Sequence, residues 1–319
     1  MHILGAYFET KNPLNREFIL FWNTIGNTGV SIFVLISGLY GIRFRLERLL
    51  NFWFLIWIYS LLLLLATAIL GSENITAEAL RNALFPVTSR RWWFATSYFL
   101  LFCLSPILNV AAERLGKERL GKFMALLLLL LVIVPTLTFT DPTGDNGKGT
   151  LYVIFLYLVG RYFGLYGFPT FLKEHAWLLL FASVTLIFIG GSFFSIIKNK
   201  LILDLCQDND LLIFIEAITI VYIAQRGMFV TKWVNALAGY VFPLYLLHAL
   251  FLPYWNVKPD NCYMPLYVMG KLLFVMVICV VVEMLRRLLI DKWTKLFSQH
   301  VVRTYRQEVT KLLKACSLN

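Results

Sequence analysis

Residues 52–70, FWFLIWIYSLLLLLATAIL, run without a single charged side chain. A helix of that length rises about 28 Å, which matches the ~30 Å hydrocarbon core of a bilayer. Comparable apolar segments recur at 26–42, 92–111, 123–139, 150–167, 176–197, 211–225, 234–253 and 264–285. Charged residues make up only 15% of the chain and apolar residues 59%, whereas soluble domains carry about 25% charged residues. The surplus apolar surface must therefore face lipid. The pattern predicts an all-α fold, a polytopic membrane helix bundle with nine full transmembrane helices. The opening residues, MHILGAYF, are also apolar. Eight residues reach only about 12 Å, so they read as the stump of a first helix.

The net charge is +11, and its distribution speaks against nucleic acid as the partner. With the tail from Arg286 placed in the cytoplasm, nineteen lysines and arginines fall inside and nine outside, while acidic stretches such as TDPTGDNG and LDLCQDND fall outside. This is the basic-inside asymmetry of membrane proteins, and it puts the positive charge against anionic lipid. Residues 1–25 then lie outside. The tail, RRLLIDKWTKLFSQHVVRTYRQEVTKLL, is basic and amphipathic, and it is expected to lie along the membrane surface. The chain so divides into a membrane domain, 1–285, and a cytoplasmic tail, 286–319. The five cysteines are scattered, with no CxxC and no cluster of metal-ligand spacing. No metal is expected, and Cys206 and Cys262, both assigned outside, read as unpaired thiols more readily than as a disulfide.

Few residues inside this apolar frame carry chemistry. His2 lies in the stump, and His248, in YVFPLYLLHAL, lies near the outer end of the eighth segment. Histidine in a hydrophobic span is costly and is suited to moving protons near neutral pH. The plain alternative is local hydrogen bonding at the interface. Glu216, in LLIFIEAITIVYIA, must be paired, protonated or water-facing at its depth. Lys271 and Glu283 lie nearer their helix ends and are more easily excused. Arg45 and Arg48 form an R-x-x-R pair in the first inner loop. Spaced three apart on a helix, they share a face and can grip phosphate; a simple topology signal is the competing reading. Arg161, in YLVGRYFG, either snorkels to the headgroups or lines a cavity. The paired glycines 190–191 read as helix packing. No phosphate-cradling glycine loop and no HExxH motif occurs.

Five stretches, taken in order, carry a resemblance. NTGVSIFVLISGLYGI followed by RLERLLNFWFLIWIYS is similar to the second and third helices of the acyltransferase 3 family of integral-membrane O-acyltransferases. WWFATSYFLLFCLSPILN, YLVGRYFGLYG and NALAGYVFPLYLLHAL follow in the family's order. The resemblance covers roughly residues 1–285 and is strongest to members that modify bacterial surface polysaccharides.

What the resemblance implies goes further than spacing. It implies ten core helices and transfer of an acyl group, commonly acetyl, from cytoplasmic acyl-CoA (acetyl-CoA) to a carbohydrate hydroxyl across the membrane. The acceptor would be a polysaccharide or lipid-linked glycan, and the location the bacterial cytoplasmic (inner) membrane, with the C-terminus cytoplasmic. His2 matches the essential histidine of the family's first helix, and Arg45 and Arg48 match its donor-handling R-x-x-R pair. His248 and Glu216 are candidates to orient His2 or share its proton, and Arg161 is a further candidate for the donor. The family's first helix also carries an arginine ten intervening residues before the histidine; that position falls ahead of Met1. Either translation starts upstream, the favoured expectation, or the protein is a remnant. A polysaccharide flippase without covalent chemistry is the main rival reading.

Overall fold

A computed structural model describes residues 2–69, 76–227, 232–252 and 256–316; for residues 2, 3, 233–235, 306 and 309–316 the backbone alone is described. Among the described residues every regular element is helical. In order these are α1 (Pro13–Gly26), α2 (Thr28–Tyr40), α3 (Leu46–Ile69), α4 (Ala77–Leu84), α5 (Trp93–Leu128), α6 (Val134–Thr138), α7 (Thr150–Tyr166), α8 (Thr170–Ile197), α9 (Leu211–Gln225), α10 (Lys232–Leu247), α11 (Met264–Leu289) and α12 (Asp291–Cys316). Short 3₁₀ turns cover His2–Tyr7, Asp204–Cys206 and His248–Phe251, and a π turn, Leu129–Ile133, joins α5 to α6.

Among the described residues, five helical stretches are long and apolar enough to cross a membrane: Pro13–Tyr40, Leu46–Ile69, Trp93–Thr138, Thr170–Ile197 and Met264–Leu289. The chain is thus a multi-pass membrane protein, and the expected all-α character holds. The expected count of nine full spans is met only in part, for three physical reasons. First, the segment expected at 26–42 forms the 13-residue α2, and a separate helix, α1, leads into it from Pro13. Pro13 suits a first helical position, and the Asn12 side chain caps it by accepting from the Leu14 amide at 3.0 Å. Second, the loop expected at 112–122 is narrowed to a single break: within Trp93–Thr138 two helices meet at Gly116. Gly116 breaks the helix in one step with φ +70°, a conformation open to glycine without steric cost. Third, α9 has only 15 residues, about 22 Å of helix. It is buried on nearly every side, with Ile213, Phe214, Ala217, Ile218, Val221, Tyr222 and Ile223 all enclosed.

The chain separates into two compact units. The first comprises Met1–Ile42, Leu104–Gly239 and Phe251–Val275, the second Arg43–Cys103, Tyr240–Leu250 and Met276–Asn319. The first is organised around the pairing of α2 with α7. A β-carbon at Gly160 would overlap the Leu35 carbonyl, one at Gly164 the Leu39 carbonyl, and one at Gly38 the Tyr157 carbonyl. Small residues let helix backbones meet directly in this way. The glycine pair singled out in the sequence also packs, Gly191 against Leu20 and Gly190 against Leu205, within a core that joins Leu20, Ile187, Cys206 and Ile213. The segment before α1 is stitched to residues 256–263: Asp260 accepts from the Thr10 hydroxyl at 3.0 Å and the Asn12 amide at 3.2 Å, and Asn15 donates to the carbonyls of Pro259 and Asn261.

In the second unit α12 lies against α3. Ser298 donates to Asn51 at 2.7 Å, and the rings of Phe54 and Phe297 meet edge to face at 5.3 Å. The C-terminal segment is helical and amphipathic as expected, with Val302 and Ser298 buried and Trp293, Leu296 and Phe297 exposed.

Replacing Gly160 with valine forces α2 away from α7 and is expected to cost about 1–3 kcal/mol or more. Gly29→Ala, where nothing lies within 4 Å, serves as the control and gains up to about 1 kcal/mol of helix propensity. Thermal unfolding of the two purified variants in detergent checks both signs.

Candidate active site

The loop that carries the arginine pair is built on a fixed point. α2 ends at Gly41, whose φ is +71°. The next residue, Ile42, has both backbone groups engaged: its N–H donates to the Tyr157 hydroxyl at 3.0 Å, and its carbonyl accepts from the Asn109 amide at 3.0 Å. The Tyr157 hydroxyl in turn donates to Asn109 Oδ1 at 2.7 Å. Arg161 lies behind Gly41, so close that a β-carbon there would sit 3.0 Å from its guanidinium, and it pairs with Glu113 at 2.7 Å. Arg161 therefore neither reaches freely for headgroups nor stands alone; Glu113 holds it beside the loop.

Past this point the chain turns into α3. The Arg45 carbonyl accepts the first helical bonds, from the amides of Arg48 and Leu49. Arg45 thus stands at the helix start and Arg48 in its first turn. Both side chains are exposed, and Arg45 makes only a loose 4.0 Å contact with Glu47. Guanidiniums placed at unpaired helical N–H groups, with the positive end of the helix dipole behind them, form an anion-attracting end.

The other sequence candidates are dispersed. His2 begins a 3₁₀ turn rather than an α-helical stump; its ring lies outside the described residues. That turn is anchored by Leu4 and Tyr7, both buried, and the Tyr7 hydroxyl points at Asn256 Oδ1, 3.4 Å away. The same Asn256 oxygen accepts from the Lys271 ammonium at 2.8 Å. His248 marks the place where α10 tightens into a 3₁₀ turn, and its Nδ1 lies 2.6 Å from the Tyr245 carbonyl. Glu216 is 1% exposed in α9, and its Oε2 meets no hydrogen-bond partner among the described residues. Burial pushes the Cys206 thiol up, with Thr24 opposing and the carboxyls of Asp210, Glu216 and Asp204 adding to the shift. Cys206 and Cys262 are both free thiols.

Two acid–base groups excused in the sequence prove to be central. Lys271 is 5% exposed, and Glu283 is 1% exposed. Glu283 accepts from Arg286 at 2.7 and 3.0 Å, from Arg287 at 2.6 Å and from the Tyr59 hydroxyl. Arg286 also donates to Asp291 at 2.8 Å, and Arg287 stacks over Tyr240 at 4.4 Å. The i+3 and i+4 spacing of Glu283, Arg286 and Arg287 was visible in the sequence as a pairing signal. Tyr59, from a different helix, carried none. No group of three or more metal-ligating side chains occurs among the described residues.

This arrangement defines an all-helical, multi-pass membrane protein with an exposed arginine pair at the base of its third helix. The chain belongs to the acyltransferase 3 family, whose model, described as an acyltransferase domain, matches residues 1–284. Comparison with curated proteins and with solved structures finds no match.

Two predictions follow from these charges. Removing one partner of a buried ion pair costs about 3–5 kcal/mol; Glu283→Gln is therefore expected to destabilise the second unit strongly, read as loss of folded protein in detergent. In the loop before α9, burial pushes Asp208 up to about 6, with Lys148 opposing and Asp210 adding to the shift. Burial likewise pushes Asp210 up to about 6 against the Gln207 amide. An unfolded aspartate titrates near 3.9, so between about pH 4 and 6 the folded loop binds more protons and its stability falls as pH rises. Hydrogen exchange across 204–210, corrected for intrinsic rates, should show more protection at pH 5 than at pH 7, and Asp208→Asn should reduce that difference, leaving the part due to Asp210.

Proposed function

We propose that this protein is a membrane O-acyltransferase that moves an acyl group, acetyl in the first instance, from cytoplasmic acyl-CoA to a hydroxyl of an exported polysaccharide or lipid-linked glycan. Membership of the acyltransferase family supports the reaction class. The observation that carries the donor side is the pair Arg45 and Arg48, exposed at the start of α3 behind a loop clamped at Ile42. In this reading the two guanidiniums take the CoA phosphates by charge-assisted, bidentate hydrogen bonds, and Arg161 is a third candidate cation.

The transfer breaks the thioester C–S bond and forms an ester C–O bond. His2 takes the proton of the acceptor hydroxyl and returns it to the leaving thiolate, releasing free CoA; in the variant mechanism His2 carries the acyl group itself. His248 or Glu216 orients that imidazole or shares its proton. The protein sits in the bacterial inner membrane with its tail cytoplasmic, and no metal takes part.

General base catalysis is worth about 10²–10⁴-fold. His2→Ala in the full-length gene product should lower glycan acetylation and free-CoA release by that order while CoA binding persists. Arg48→Ala should weaken CoA binding itself. Glycan export with no CoA release in the unaltered protein identifies a transporter instead.

A further inference from the structure

The second unit contains an open-sided cavity of about 230 Å³ between α3, the end of α11 and the first turns of α12. Its lining comprises Asn51, Phe52, Leu55 and Ile58 from α3, with Arg286, Asp291, Thr294 and Lys295 opposite. We propose that this cavity receives the pantetheine arm of the acyl-CoA donor, so that the tail helix forms one wall of the donor site. The proposal rests on the acyl-CoA reading above.

Three observations carry it. The first is alignment along α3. Arg48, Asn51, Phe52 and Leu55 recur at three- and four-residue steps, so they share a face. A molecule gripped by phosphate at Arg45 and Arg48 and laid along that face runs from the cations into the cavity. The second is size. Pockets that enclose a drug-sized ligand measure about 300–1,000 Å³, so this cavity holds part of a CoA molecule and leaves its nucleotide outside, at the exposed arginines.

The third is chemistry. A pantetheine arm offers two amides, a hydroxyl and a pair of methyl groups. Asn51 and Lys295 can donate to amide carbonyls, the Thr294 hydroxyl, which donates to the Asp291 carbonyl, can accept from an amide N–H, and Phe52, Leu55 and Ile58 line the aliphatic parts. Asp291 can accept from an amide N–H even while bound to Arg286 at 2.8 Å and Lys295 at 3.1 Å, because a carboxylate offers about four acceptor sites. The wall is also preformed. Arg286 is gripped from both sides by Glu283 and Asp291, and Tyr59 buttresses Glu283 from α3.

Arg286, Asp291, Thr294 and Lys295 all lie beyond residue 284, where the family match ends. Half of the cavity is therefore supplied by a segment outside the shared acyltransferase domain.

Two substitutions fill the cavity from opposite walls, Leu55→Trp and Thr294→Trp. The probes are CoA and adenosine 3′,5′-bisphosphate, which lacks the arm, titrated calorimetrically into the full-length protein in detergent. Each variant that remains monodisperse should bind CoA at least about tenfold more weakly (1.4 kcal/mol) while binding the bisphosphate as the unaltered protein does. Arg48→Ala should weaken both probes. If the tryptophan variants bind CoA normally while Arg48→Ala weakens it, the cavity proposal falls and the acyl-CoA reading stands. If they bind CoA normally but lose a co-purified phospholipid, the cavity is a lipid site and the proposal is overturned. If the unaltered protein binds neither probe, the acyl-CoA reading falls, and the proposal with it.

Discussion

The contact between α2 and α7 is the constraint on which the first unit depends. At Gly160, Gly164 and Gly38 there is no room for even one carbon beyond the backbone. Two helices held at that separation have a fixed rotation and a fixed register. That register brings the Tyr157 hydroxyl to the Ile42 amide and sets Arg161 behind Gly41. The last residues of α2 thus leave the contact in a defined direction, and the arginine-bearing loop begins from an anchored end rather than a free one.

A different solution operates in the second unit. Ions inside an apolar bundle are expensive unless each meets its opposite. Glu283 takes donors from Arg286, Arg287 and Tyr59, and Asp291 takes the remaining face of Arg286. The network crosses the boundary between α11 and α12, so it welds the end of one helix to the start of the next. Arg286 and Arg287, which look like the start of an ordinary basic terminus in the sequence, are consumed in this weld. Lys271, in the first unit, is satisfied instead by neutral acceptors, the Asn256 side chain and the Leu252 carbonyl.

How far the fold was legible follows from what each signal measures. Lipid-facing surface is a property of composition, so the all-helical membrane class and most segment positions could be read directly. Segment ends depend on single residues. The start at Pro13 has a visible cap and was still read as an outer loop, because polar Asn15, Arg16 and Asn23 interrupt the apolar pattern; all three are buried. The break at Gly116 depends on a left-handed glycine in a stretch rich enough in charge to resemble a loop. The arginine pair was legible because both partners lie on one local helix. The Tyr59–Glu283 bond, the Asn109–Tyr157 clamp and the α3–α12 cavity join residues far apart in the chain, and no periodicity in one sequence reports such pairings.

The seam between α12 and α3 has a mechanical side. Ser298 holds Asn51, two turns beyond Arg45, while Arg286 and Asp291 lock the hinge that leads into the tail. With Ser298 on Asn51 and Arg286 between Glu283 and Asp291, displacement of α12 is opposed at the base of α3, within two turns of both arginines.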